Sequence, residues 1–271
     1  MCIRDRDILV NEKNKVKKLI VAGSMSSYGE GLYNCVACGN IRPSLRGARQ
    51  MESGQWELKC PKCNSFLTPL PIREKDELRC TSVYALTKKV QEQMSLIIGK
   101  TYNIPTIVFR YFNVYGPRQS LSNPYTGVAA IFLSRLKNDN PPIVYEDGKQ
   151  TRSFISVHDV VEANIVALEN DKSDYKVFNL GSLEPTSIAD IAFTLARLLG
   201  KEIQPNITGK FRKGDIRHCC SDISFISEIL SWRPKVSFKD GMDELIKWAK
   251  ETQAIDKFDL ANNELRNKGL L

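Results

Sequence analysis

The sequence lacks any apolar run long enough to cross a membrane, since its longest runs, such as residues 128–133, fall far short of a bilayer span. Residues 1–18 are charged throughout, so we expect no secretory signal and a cytoplasmic protein. It also lacks an arginine-rich tract and any alternation of basic and aromatic residues. These absences predict a protein with neither membrane nor nucleic-acid partners.

The composition is that of a globular protein. Apolar residues make up 42% and charged residues 26% of the 271 positions, which excludes disorder as the global state. The length allows one large domain or two modest ones. The net charge of +8 suits an anionic ligand such as a phosphate, although many ordinary proteins share it.

Four of the eight cysteines form two C-x-x-C pairs. They are Cys35, Cys38, Cys60 and Cys63. Four thiolates at this spacing can close a tetrahedral zinc site, whereas two disulfides or four unligated thiols remain the alternatives. A reducing cytoplasm favours zinc, and four thiolates leave no open position for catalysis. The spacing therefore predicts a structural zinc site in a small insert at residues 33–71.

The other cysteines and the two histidines fit no catalytic or ligand pattern. We expect buried, inert thiols at Cys2, Cys80, Cys219 and Cys220. For His158 and His218 we expect structural or surface roles.

Outside the insert, short β-branched runs alternate with helical patterns, which is typical of an α/β fold with a parallel sheet. Strands are predicted at 19–23, 104–109 and 177–180. Helices are predicted from Thr81 or Ser82 to about Gly99, and at 128–136, 158–168, 188–199, 225–230 and 241–251. An Asp147-Gly148 turn between apolar runs predicts a hairpin joining residues 143–145 to 154–157.

Tyr84 and Lys88 lie four residues apart on a predicted helix, so their side chains share one face. A tyrosine is a poor base at neutral pH unless a nearby ammonium stabilises its phenolate. This spacing alone is a weak signal, because any surface helix can carry it by chance. Ser24 adds to it, since it follows a predicted parallel strand, where open α/β sheets bind their ligands.

Ser24, Tyr84 and Lys88 resemble the catalytic triad of the short-chain dehydrogenase/reductase superfamily. Further segments resemble its extended branch, the nucleotide-sugar epimerases and dehydratases. These segments are SMSSYG at 24–29, RYFNVYGP at 110–117, DGKQTRSFISVHD at 147–159, NLG at 179–181, and RKGD at 212–215 with Asp222. The resemblance runs from about residue 16 to residue 249.

This resemblance implies an NAD cofactor and a nucleotide-diphosphate sugar substrate. Tyr84 would exchange a proton with the sugar hydroxyl. Lys88 would support that tyrosine and hold the nicotinamide ribose. Ser24, helped by Ser26, would hydrogen-bond the reacting oxygen. On the cofactor side, Tyr111 would line the site.

The resemblance also assigns residues to the substrate. Asn113 would contact the nucleotide sugar, and Arg152 and Arg212 would pair with the diphosphate, whose oxygens suit guanidinium geometry. The alternative for each arginine is a solvated surface charge. Relatives often dimerise through the helix that carries the tyrosine and lysine, which implies a possible homodimer.

The two positions that follow Ser24 indicate which of this branch's reactions to expect. In dehydratases of this branch an Asp-Glu pair follows the catalytic serine, and decarboxylases keep a glutamate there, whereas this chain has Met25 and Ser26. Epimerisation at C4 through a 4-keto sugar remains. The zinc-ribbon-like insert between Ser24 and Tyr84 resembles dTDP-L-rhamnose 4-epimerases. The alternatives are a UDP-glucose 4-epimerase and a non-catalytic, zinc-bearing binding module.

The branch's glycine-rich fingerprint, G-x-x-G-x-x-G, and its acidic ribose ligand do not occur before Ser24. We therefore expect a C-terminal fragment that keeps the catalytic residues but binds NAD weakly, with a partial, doubly wound Rossmann sheet lacking its first strands. The expected Rossmann remnant comprises 1–32, 72–118 and 150–181. A smaller α/β substrate-binding domain comprises 119–149 and 182–256, with a tail at 257–271.

Overall fold

The computed structural model describes residues 3–12, 14–124 and 126–267. Cys2, Tyr125 and the end of the expected tail, residues 268–271, lie outside the described residues, as do Met1 and Lys13. In the described part, no helix combines the length and apolar character that a membrane span needs.

Helices and strands alternate along most of the described chain. The helices are α1 (Ile3–Asn11), α2 (Ala48–Glu52), α3 (Val83–Thr101), α4 (Val128–Lys137), α5 (Val157–Glu169), α6 (Ile188–Leu198), α7 (Ser224–Leu230), α8 (Phe238–Lys250) and α9 (Phe258–Asn267). The strands are β1 (Leu19–Ser24), β2 (Leu32–Cys35), β3 (Gly39–Ile41), β4 (Thr68–Leu70), β5 (Thr106–Tyr111), β6 (Asn113–Tyr115), β7 (Ile143–Val144), β8 (Thr151–Ser156), β9 (Val177–Leu180), β10 (Pro185–Ser187), β11 (Asn206–Ile207) and β12 (His218–Cys219). Short 3₁₀ turns span Met25–Tyr28 and Asp171–Ser173.

Three parallel strands form one sheet in the order β1-β5-β9, which confirms the predicted α/β fold. All but the last residue of β5 are buried, as expected for the centre of a parallel sheet covered on both faces. The register places Ser24 beside Tyr111, and Tyr111 beside Leu180. The carboxyl ends of the three strands therefore lie at one edge.

A second group of strands surrounds β8. Strand β8 pairs in parallel with β6 and β12 and antiparallel with β10. Strand β7 pairs in parallel with β11. The predicted hairpin between residues 143–145 and 154–157 is therefore wrong. The turn itself forms, with Gly148 at φ +76°, but the flanking strands satisfy their main-chain groups elsewhere. The amide of Glu146 donates to Lys210 O and that of Thr151 to Arg217 O.

The helices α4, α6 and α8 pack around a core that includes Leu133, Leu195 and Leu245, all wholly buried. Several predicted ends of helices agree with the structure. Ser82 caps α3 by accepting the amide of Ala85 on its hydroxyl, and Gly200 follows α6 at φ +69°.

The cysteine-bearing segment folds around a small antiparallel sheet in the order β3-β2-β4. Its core contains Tyr33, Leu58 and Leu67, together with the buried thiols of Cys35 and Cys60. Leu32 at the start of β2 lies opposite Leu70 at the end of β4. The segment therefore leaves and rejoins the main fold at neighbouring points.

Candidate active site

Ser24 ends β1 at the carboxyl edge of the parallel sheet. Its hydroxyl oxygen accepts the amide of Ser26 at 3.2 Å and the Ser26 hydroxyl at 2.9 Å. These bonds cap the 3₁₀ turn that follows the strand. Because the Ser24 oxygen accepts in both bonds, its own O–H can donate to a bound oxygen.

Tyr84 and Lys88 lie at the start of α3, which packs against β1 and the 3₁₀ turn. Lys88 Nζ donates to the carbonyl of Ala22 in β1 at 2.9 Å and lies 5.9 Å from the centre of the Tyr84 ring. Tyr84 is 58% exposed, so the residue is open to a ligand from solvent. The structure thus brings the serine, tyrosine and lysine to one edge.

A buried arginine joins the elements that carry these residues. Arg110 in β5 donates to both carboxylate oxygens of Glu92 in α3, at 2.9 and 2.6 Å. It also donates to the Tyr28 hydroxyl at 2.7 Å, which in turn donates to Asn179 at 2.7 Å. Arg110 therefore ties α3 and the turn after Ser24 to the sheet.

The other predicted cofactor and sugar contacts lie close to this edge. Tyr111 donates its hydroxyl to Asn164 at 2.9 Å, and burial raises the pKa of Tyr111. Asn113 begins β6 and is half-buried opposite Phe154 of β8. Their roles toward cofactor and sugar stay predictions.

The two candidate phosphate arginines have different surroundings. Arg152 is 9% exposed, and its two Nη atoms donate to the carbonyls of Thr151, Ile216 and Arg217 at 2.7–2.8 Å. It therefore holds the chain just beyond Arg212. The Arg212 guanidinium stacks on the Tyr145 ring, with Cζ 4.5 Å from the ring centre. The contact of either arginine with a diphosphate stays a prediction.

Arg212 also has an unsatisfied donor. Its Nε atom is buried and has no hydrogen-bond partner among the described residues. A buried N–H without a partner is costly. The Nε atoms of Arg42 and Arg46 share this feature, so it does not single out Arg212 as an anion ligand.

Sequence reasoning missed a cluster of buried charges beside these arginines. The wholly buried Arg217 side chain contacts Glu57, Glu146 and Asp147. Arg46 makes a bidentate pair with the same Glu146, at 2.7 and 2.8 Å. No local sequence pattern indicates these pairs, because Arg46 and Glu146 are 100 positions apart.

The cluster lowers the pKa of two of its carboxylates, those of Glu57 and Asp147. A hydrogen bond with the His218 ring, together with Arg217, lowers the pKa of Glu57 to about 2 against the effect of burial. Burial alone would raise the pKa of Asp147, but hydrogen bonds from Arg217 hold it below its ordinary value. The charges of Arg46 and Arg217 are therefore compensated where they are buried.

The two histidines have the structural and surface positions that the sequence predicts. His158 contacts Glu244 at the surface, with Nε2 2.8 Å from the carboxylate. The ring of His218 lies 2.7 Å from the Thr151 hydroxyl and 3.2 Å from Glu57.

The sulfur atoms of Cys35, Cys38, Cys60 and Cys63 all lie within 4.8 Å of one another. The two sulfurs of Cys35 and Cys63 are 3.4 Å apart, much longer than a disulfide bond of about 2.05 Å. Tetrahedral zinc, with Zn–S of about 2.3 Å, requires S···S separations of about 3.8 Å. The arrangement fits such an ion and argues against paired disulfides. Among the other cysteines, Cys219 and Cys220 are buried as expected, and Cys80 is partly buried.

The parallel sheet with a serine at its carboxyl edge, and a Y-x-x-x-K helix beside it, define an α/β protein of the short-chain dehydrogenase/reductase type. The family comparison agrees. The model of the NAD dependent epimerase/dehydratase family matches residues 62–181 of this chain.

Three similar proteins are all described as nucleotide-sugar 4-epimerases. The dTDP-L-rhamnose 4-epimerase of Burkholderia thailandensis is 36% identical over 244 residues, which cover 89% of this chain and 65% of the relative. The UDP-glucuronic acid 4-epimerase of Bacillus cereus, solved with UDP-glucuronic acid and NAD, is 27% identical with a TM-score of 0.67, covering 88% of this chain and 63% of that one. The UDP-glucose 4-epimerase of Thermotoga maritima, solved with UDP-glucose, is 27% identical with a TM-score of 0.65 and coverages of 91% and 66%. The chain thus spans about two thirds of each.

The Arg110–Glu92 pair yields a stability prediction. The Glu92→Ala variant leaves a buried guanidinium without its carboxylate, so the free energy of unfolding should fall by about 3–5 kcal/mol in urea titrations. As a control, Glu162→Ala breaks a surface pair with Lys235 and should cost about 0–1 kcal/mol. Equal losses in the two variants would contradict the structural role of the buried pair.

Proposed function

We propose that this chain carries the catalytic residues of an NAD-dependent nucleotide-sugar 4-epimerase whose substrate is dTDP-L-rhamnose. The observation that carries the proposal is the convergence of Ser24, Tyr84 and Lys88 at the carboxyl edge of the parallel sheet. The choice of substrate is supported by the match of the Burkholderia thailandensis relative to 89% of this chain.

In the proposed reaction, Tyr84 takes the proton of the sugar 4-hydroxyl and later returns a proton to the same oxygen. Lys88, held by the Ala22 carbonyl, stabilises the phenolate that takes this proton and that forms again when the proton is returned. Ser24 donates a hydrogen bond to the reacting oxygen, and Ser26 fixes the position of that serine. The 4-keto sugar then rotates within the site before it is reduced. The hydride therefore adds to the opposite face, and the configuration at C4 is inverted.

NAD, when bound, supplies the hydride acceptor and returns the hydride. The hydroxyl and ammonium groups of Ser26, Tyr84, Lys88 and Tyr111 suit the ribose and carboxamide at the nicotinamide end. Their position beside the sheet's carboxyl edge is where α/β folds bind dinucleotides. This chain's own residues thus fit one end of the cofactor.

The residues beside Ser24 support epimerisation over elimination of water. Met25 and Ser26 form the turn after the strand, and neither side chain can serve as the carboxylic acid or carboxylate of a dehydratase. UDP-glucose is the second candidate substrate, because the Thermotoga maritima relative is a UDP-glucose 4-epimerase.

The test is conversion of each nucleotide sugar by the chain, measured by NMR, with NAD in large excess because the chain is expected to bind NAD weakly. We expect conversion of dTDP-L-rhamnose to its C4 epimer, and loss of this activity by about 100- to 10,000-fold in Tyr84→Phe, because the general acid–base is removed.

Tyr102→Phe is the matched control, since it makes the same change at the other end of α3 and should leave the rate unchanged. Full activity in Tyr84→Phe would refute the mechanism. Conversion of UDP-glucose alone would transfer the proposal to the second substrate, and binding of neither nucleotide sugar would favour a non-catalytic binding module.

We also propose that the four cysteines hold one structural zinc ion. The buried thiols of Cys35 and Cys60 belong to the insert's core, so the ion would replace part of the apolar packing that a segment this small cannot provide. The thiolates fill a tetrahedral shell and leave no position for substrate.

Removal of the metal should therefore loosen the insert and not the main sheet. In Cys35→Ser, we expect loss of bound zinc by atomic absorption and faster amide exchange across residues 33–71. Cys80→Ser is the control, because Cys80 lies outside the sulfur cluster and should keep the metal. Unchanged protection in a zinc-free Cys35→Ser protein would refute the assignment.

We propose further that the chain forms a homodimer through exposed apolar stripes on α3 and α5. Val83, Leu86, Val90, Met94 and Ile97 follow helical spacing on α3, and Val161, Ile165 and Leu168 do so on α5. Exposed apolar stripes of this kind favour association with a complementary apolar surface.

Ile97→Glu should weaken the dimer by more than about tenfold in analytical ultracentrifugation, since each copy would bury an unpaired carboxylate. Ile255→Glu introduces the same charge at an exposed position outside both stripes and should leave association unchanged. A monomeric wild-type protein at high concentration would refute this proposal.

A further inference from the structure

The cysteine-bearing insert contacts the chain on both sides of Arg212. Before it, the Trp56 ring lies 6.4 Å from the ring of Phe211. After it, Arg46 Nη2 donates to the carbonyl of Asp215 at 3.3 Å. Two residues further on, Glu57 accepts the Nε of Arg217 at 3.0 Å. Three insert side chains therefore enclose the segment that carries Arg212.

The insert also fixes the surface on which Arg212 stacks. Tyr145 lies under the guanidinium, and the next residue, Glu146, is 1% exposed. The Glu146 carboxylate accepts both Nη atoms of Arg46 and the Nη1 of Arg217, at 2.7–2.9 Å. The position of Tyr145 is thus coupled to Arg46, a residue of the insert.

These contacts are demanding in geometry because both guanidinium groups and Glu146 are buried, while Glu57 and Asp147 reach them from partly exposed positions. Two guanidinium groups, of Arg46 and Arg217, face three carboxylates, of Glu57, Glu146 and Asp147. In a desolvated cluster, each hydrogen bond is strong when it is well aligned and costly when a partner is missing. A change in the insert would therefore be transmitted to the arginine segment.

We propose that the insert positions Arg212 for the nucleotide diphosphate, with Glu57 and Arg46 as the positioning residues. This inference rests on the proposed function, since it takes the diphosphate as the ligand of Arg212. A guanidinium that is held in advance loses less side-chain entropy on binding, so its loss of support weakens affinity. The insert thereby contributes to substrate binding without touching the reacting atoms.

The test measures the binding of dTDP and of UDP by calorimetry, which needs no turnover. In Glu57→Gln, we expect the dissociation constant to rise about tenfold, a usual size for such coupling. In turnover, KM should rise by a similar factor while kcat stays within about twofold, because Ser24, Tyr84 and Lys88 are untouched. Zinc content should be unchanged.

Glu77→Gln is the matched control, because Glu77 is also a carboxylate paired with an arginine, Arg79, but at the exposed surface. It should bind dTDP like the wild type. Trp56→Ala removes the insert's contact on the other side of Arg212, and we expect it to weaken binding as well. It provides a second measurement that does not depend on the buried charges.

A double-mutant cycle separates positioning from a general loss of stability. If Glu57 acts through Arg212, then Glu57→Gln should add no further loss of dTDP affinity in an Arg212→Gln background. Additive losses, or an unchanged dissociation constant in Glu57→Gln, would overturn the inference. Failure of the wild-type chain to bind either nucleotide would instead refute the proposed function, so the two failures are distinguishable.

Discussion

The compensation of the buried Arg217 charge is the constraint on which the arrangement of the chain around Arg212 depends. A guanidinium with no exposed surface is stable only if carboxylates meet it in the same place, and here three carboxylates come from two separate parts of the chain. Glu57 comes from the insert, Glu146 and Asp147 from the turn after β7. Once these groups are together, the chain between Arg212 and β12 has little freedom to move.

Arg110 has the corresponding role around Ser24, Tyr84 and Lys88. It joins α3 to the sheet through Glu92 and the turn after Ser24 through Tyr28. Neither arginine needs to touch a ligand for its effect. Each fixes, before a ligand binds, the position of the segments that carry functional groups. This reduces the ordering that must accompany binding and catalysis. The two halves of the site are therefore built on the same physical principle, a buried cation shared by distant segments.

The contrast between local and long-range features explains what the sequence could predict. Strand β9 and the cap of α3 at Ser82 follow from β-branched runs, helical spacing and hydroxyl capping, all of which act over a few residues. The predicted hairpin failed because β7 pairs with β11, a partner more than sixty residues away that no local turn signal specifies. The Arg46–Glu146 pair was missed for the same reason. The Ser24, Tyr84 and Lys88 set was found only because their motifs resemble a family.

The insert shows why 60 positions between Ser24 and Tyr84 need not disturb the site. Because β2 and β4 pair at Leu32 and Leu70, the insert begins and ends at neighbouring points. The rest of the fold therefore has to bridge only a short distance between them. Such an insert could have been a passive surface addition. Its contacts argue otherwise, because Arg42 donates to the carbonyl of Tyr28 at 2.8 Å beside the catalytic turn, while Arg46 and Glu57 join the cluster around Arg217. A segment whose charged side chains reach both sides of the candidate site contributes to its framework, and we infer that the folding of the segment sets how well that framework is held.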